Sequence, residues 1–148
     1  MTKEKIDTLE DMKSVLEDSG YEVALGDQFL ALKVPHPGHE PKMALITLDD
    51  IRNKAVVTCR IAHYGDIPVE RVAAFQAAML DANTRIDPFA FATIADQEDA
   101  DTDDPKDWSV VLIESVPLAD LSSEELNIAI ADLAHALPIA DQLLEAVA

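Results

Sequence analysis

Two histidines lie in a proline-rich stretch, Pro35-His36-Pro37-Gly38-His39-Glu40-Pro41. Two imidazoles beside a carboxylate are donors that a zinc ion accepts, but a zinc site also needs its ligands gathered in space, and the sequence offers no obvious further partner. We read the stretch first as an exposed loop, because three prolines remove backbone donors and Gly38 permits a turn. A metal site or an enzyme built on His36, His39 and nearby acids is the alternative reading. The second constellation is Asp99-Ala100-Asp101-Thr102-Asp103-Asp104-Pro105-Lys106-Asp107. Its alternating carboxylates suit a hard cation, yet Asp104 stands where an EF-hand needs glycine, and Val110 where it needs the bidentate glutamate. An EF-hand is therefore excluded. The segment reads as a solvated acidic loop, with Asp99, Asp101, Asp103 and Asp104 as candidate partner-binding residues.

Other chemistry is weakly signalled. Cys59 sits mid-strand in Val56-Val57-Thr58-Cys59-Arg60-Ile61. A nucleophile there would need a base and an orienting group, and no local motif announces them. A small hydrophobe in a sheet is the simpler role. The four glycines of the chain are too scattered for a phosphate-cradling loop. His63, at a strand end, and His135, on a helix, read as structural. Phe89, Phe91 and Trp108 read as core aromatics rather than a peptide groove. The expectation is a non-enzymatic protein with no cofactor and no metal.

Charge narrows the partners. The 148 residues carry a net charge of −18, placed unevenly. Residues 1–85 hold 14 acids and 10 bases, whereas residues 86–148 hold 15 acids and one base, Lys106. Such a field repels phosphate backbones and anionic lipid surfaces, so neither nucleic acid nor membrane is expected as a partner. A basic protein partner, or simply an acidic solvated surface that keeps the chain soluble, fits better. An acidic mimic of nucleic acid would need ordered carboxylates at phosphate spacing, which seven acids crowded into Asp96–Asp107 do not supply. No apolar run approaches about 18 residues, so no membrane span is expected. No apolar stretch follows Met1–Lys5, so a signal peptide is not expected and a cytoplasmic location is. A single cysteine excludes an intramolecular disulfide. The length and a hydrophobic fraction of 49% predict one domain over residues 1–148.

The elements follow from periodicity and punctuation. Ile6, Leu9, Met12, Val15 and Leu16 predict an amphipathic helix over 3–19, stopped by Ser19-Gly20. Strands are predicted over 21–25 and 28–34, joined by a turn at Gly26-Asp27, and then over 43–48 and 55–63, making a meander. Pro68 opens a helix that runs to Asn83, at a position where its missing N–H costs nothing. Pro88 is read at the start of the next strand. The last strand, 108–118, is apolar on both faces at Val110-Val111-Leu112-Ile113 and so belongs inside the sheet. Ser122 and Glu125 predict a capping box, with Leu121 and Leu126 as its hydrophobic staple. The final helix has an apolar stripe, a Pro138 that breaks or kinks it, and no Lys or Arg near its end. Asp141 and Glu145 form a like-charge pair in that helix, so its stability must come from packing. The fold class is α+β: an antiparallel sheet of about six strands packed by helices, in the order α-β-β-β-β-α-β-β-α.

Three features of that order are specific. The middle helix ends Leu80-Asp81-Ala82-Asn83, the strand after it carries Phe89-Ala90-Phe91, and the last strand leads through Pro117-Leu118-Ala119-Asp120-Leu121 into the Ser-capped helix. From about Ile6 to Leu144 this resembles the type III secretion chaperone-like fold, including the YbjN-like bacterial proteins. The resemblance implies a homodimer through the middle helix, with Val72, Gln76 and Met79 as interface positions. It also implies a small acidic bacterial protein that binds a segment of another protein, as a chaperone or regulator.

Overall fold

The computed structural model describes residues 5–94 and 108–148. Its sheet has six strands: β1 (Val23–Leu25), β2 (Leu30–Val34), β3 (Lys42–Asp49), β4 (Lys54–His63), β5 (Ala90–Ile94) and β6 (Ser109–Pro117). Their spatial order is β1-β2-β3-β4-β6-β5, and every neighbouring pair is antiparallel. The predicted meander is β1 to β4. β6 lies between β4 and β5, as a strand apolar on both faces must. The β4–β6 register slips between Arg60 and Ala62.

Residues directly opposite one another share a sheet face. Leu32, Ala44, Cys59, Leu112 and Phe91 form one such row across five strands. All are buried and belong to one hydrophobic cluster. This is the core face, and the first and last helices pack against the sheet. The first, α1 (Leu9–Asp18), starts later than the periodicity predicts because Thr8 caps it, accepting the Asp11 N–H at 3.1 Å. Gly20 then takes a φ of +97°, the left-handed stop that glycine permits.

The last helix, α3 (Ser123–Val147), begins at the predicted cap. Ser122 Oγ accepts the Glu125 N–H at 3.0 Å. The reciprocal half of the box differs, for the Ser122 hydroxyl donates to Glu125 Oε1 at 3.1 Å. Leu121 and Leu126 are both buried, as the staple requires. Pro138 does not end α3. The helix runs through it as one element, with Leu137 and Ala140 buried on either side. Core packing thus outweighs the lost backbone hydrogen bond. Among the described residues no helix is long and apolar enough to cross a membrane.

The middle helix enters through a single 3-10 turn, Val69–Arg71, and continues as α2 (Val72–Ala82), which packs on α3. Pro88 precedes β5 rather than opening it, since pairing starts at Ala90. Phe89 and Phe91 are both buried, as core residues. Asn83, just past α2, ties the helix end to the sheet, because its Oδ1 accepts the Phe91 N–H at 2.7 Å. β5 is an edge strand, and this bond satisfies a backbone donor at that edge.

Candidate functional site

The loop between β2 and β3 carries His36 and His39, and α3 extends far enough to meet it. Asp141, on the α3 turn after Pro138, is the residue that arrives. His36 Nε2 lies 2.5 Å from Asp141 Oδ2, and His39 Nε2 lies 3.7 Å from the same oxygen. The two imidazoles stack, with centroids 4.4 Å apart and planes 17° from parallel. One nitrogen from each ring and one carboxylate oxygen lie within 4.8 Å of one another. Burial is graded across the group. His36 is 5% exposed, Asp141 is half-buried, and His39 is exposed at the mouth. Glu40, the acid adjacent in sequence, is exposed and outside the group. The third donor that the sequence leaves unnamed is thus Asp141, 105 residues from His36. Only a tertiary contact reveals it.

A second feature is the outer side of α2. The helix reads Val72-Ala73-Ala74-Phe75-Gln76-Ala77-Ala78-Met79-Leu80-Asp81-Ala82. Phe75, Met79 and Ala82 are buried on its inner side. Val69 from the preceding turn, Ala73, Gln76, Ala77 and Leu80 form an exposed stripe along its outer side. Val69 is 80% exposed and Leu80 72%. A helix apolar on both sides is normally covered on both sides. The stripe borders an open cleft of about 1110 Å³ lined by Tyr64, Pro68, Val72, Gln76, Thr93 and Trp108. Of the three interface positions implied by the family resemblance, Gln76 is exposed, Val72 is half-buried and borders the cleft, and Met79 faces the core of its own chain.

Two titratable groups meet the core. Cys59 is 1% exposed, and burial pushes its thiol up to about 11. It stays protonated at neutral pH, which suits a packing residue and not a nucleophile. Glu114 stands opposite Val57 on the core face of β6. Burial first, then the Asp132 and Asp87 carboxylates, pushes its carboxyl up to about 7. Its Oε2 is shielded from solvent and has no hydrogen-bond partner among the described residues. The sequence signal for this is the alternation Val110, Leu112, Glu114, Val116 in β6.

His63 and His135 stand apart from the His36–His39–Asp141 group. Asp99, Asp101, Asp103 and Asp104 lie outside the described residues. In comparisons with known proteins, no family model, no curated protein and no solved structure matches this chain.

Proposed function

We propose that this chain is a non-enzymatic protein-binding protein, chaperone-like or regulatory, that pairs with a second copy of itself through α2. The carrying observation is the uncovered, uncharged and mostly apolar stripe Val69–Ala73–Gln76–Ala77–Leu80 on a helix whose other side is already core. The absence of charge along this face lets a second copy occupy it. A chain of net charge −18 repels its own kind. Val72 to Leu80 contains no charged residue; of the flanking charges, Glu70 adjoins Arg71 and Asp81 pairs with Arg85 at 2.8 Å. Two copies that meet along this stripe therefore bring little like charge together. The family resemblance drawn from the sequence supports the same helix. Because Met79 faces inward, the proposal rests on the outer stripe.

The interface is modest. A helix of 11 residues is about 16 Å long. Its exposed face alone falls short of the roughly 800 Å² that each partner contributes to a stable interface, so the contact extends onto the cleft rim. Beyond the dimer, the net charge favours a basic protein as partner, held more weakly as salt rises.

Sedimentation velocity over a concentration series tests the pairing. Burying a Leu80 that is 72% exposed contributes about 1–2 kcal/mol, and two-fold symmetry counts it twice. Leu80→Glu should therefore weaken the dimer by about 30-fold or more. A wild-type chain that stays monomeric at about 100 µM, or a dimer indifferent to Leu80→Glu, would refute the proposal.

A further inference from the structure

The His36–His39–Asp141 group is more than one hydrogen bond requires. A tether from the β2–β3 loop to α3 needs one donor and one acceptor, and His36 with Asp141 already supplies both. His39 adds a second imidazole whose Nε2 approaches the same Oδ2 at 3.7 Å, beyond hydrogen-bond range. Among the described residues His36 is also the only buried histidine. Two imidazole nitrogens and one carboxylate oxygen within 4.8 Å of one another form a donor set for a borderline divalent cation.

We propose that His36, His39 and Asp141 bind one divalent transition-metal ion of the zinc class. Zinc bonds at about 2.0–2.1 Å place tetrahedral ligand atoms about 3.3 Å apart. The His39–Asp141 spacing of 3.7 Å is close to that value. The His36–Asp141 contact of 2.5 Å is a direct hydrogen bond, and it opens by somewhat under 1 Å when the ion replaces its proton. The ring stack must also loosen, since parallel imidazoles do not converge on one ion. His39 can tilt about its side-chain torsions because its ring is exposed, while its backbone N–H stays bonded to the His36 carbonyl at 2.9 Å. Three protein ligands leave a fourth position open to water or to a donor from a bound molecule. An ion held here clamps the β2–β3 loop to the C-terminal half of α3. Imidazole donors disfavour calcium and magnesium, which take oxygen ligands.

Chelator-stripped protein is titrated with zinc in the presence of a chromophoric zinc indicator, and cobalt(II) absorption reports the coordination geometry. One tight equivalent per chain is expected, with tetrahedral cobalt bands. His39→Ala, at an exposed loop position, should weaken zinc binding at least about 10-fold while far-UV circular dichroism stays unchanged. Asp141→Asn, which retains an acceptor for His36, should do the same. Excess calcium should not displace the zinc. No binding tighter than about 100 µM would overturn the proposal, as would binding that survives both substitutions or yields to calcium, because either marks the carboxylate-rich surface as the site.

Discussion

Replacing Glu114 with glutamine measures what a carboxyl costs on the core face of β6. In the folded chain its carboxyl is raised from 4.5 to about 7, by burial and then by the charges of Asp132 and Asp87. The unfolded chain titrates it near the ordinary value. Between those two values the folded state holds a proton that the unfolded state has released. The folded state then binds more protons, so stability falls as pH rises through this window, and the loss is complete once the folded carboxyl also ionises. A shift of that size corresponds to at most about 3 kcal/mol. The side chain is only half-buried, and solvent screening leaves about 1–2 kcal/mol. Glu114→Gln keeps the shape and removes the charge. It should be more stable than wild type by about 1–2 kcal/mol at about pH 8 and indistinguishable at about pH 4.5. Urea unfolding followed by the fluorescence of Trp108, the single tryptophan, gives both values. The remaining acids are common to both proteins, so their mutual repulsion cancels in the difference. A difference that is flat across this range, or that grows toward acid, refutes the reasoning.

Two further outcomes rest on the packing. Asn83→Ala removes the acceptor for the Phe91 N–H and should cost about 1–2 kcal/mol in denaturant unfolding, whereas Asn83→Asp keeps an acceptor and should cost less. Cys59 should stay unmodified by an aromatic disulfide reagent in the native protein at neutral pH and react at once in denaturant; fast native modification would contradict its burial and raised pKa.

The element order is legible in the sequence because periodicity and turn residues agree along the chain. Gly20, the staple leucines and the apolar run of β6 all act locally, and each does in the fold what its neighbours in sequence imply. Positions decided by distant partners are not legible. Met79 reads as an interface position although it is core, because α2 is apolar nearly all round and its sequence does not fix which side meets the sheet and α3. Glu114 draws no notice because the run from Val110 to Ile113 reads as apolar on both faces, which hides the alternation that continues beyond it. Asp141 becomes a third donor only because α3 extends past Pro138 to the β2–β3 loop. By its prolines that loop reads as exposed, and it is exposed at Pro37, Gly38 and His39 but not at His36.

The C-terminal half of α3 shows how tertiary contacts replace missing local ones. Its sequence contains an interior proline, a like-charge pair at Asp141 and Glu145, and no basic residue in its last turn. Each weakness is met from elsewhere in the chain. Burial of Leu137 and Ala140 holds the helix through Pro138. Arg71, at the entry to α2, donates from Nη1 to the carbonyl oxygens of Ala146 and Ala148 at 3.3 and 3.5 Å, supplying the positive charge that the helix end lacks. His36 engages Asp141, the first member of the like-charge pair. Arg71 at the entry to α2 and His36 in the β2–β3 loop therefore both brace the C-terminal half of α3. Substituting His36 would disturb the docking of α3 whether or not an ion binds. His39, exposed and outside hydrogen-bond range of Asp141, engages the group with its side chain through the ring stack on His36 alone, and so it is the position at which a metal role and a structural role separate best.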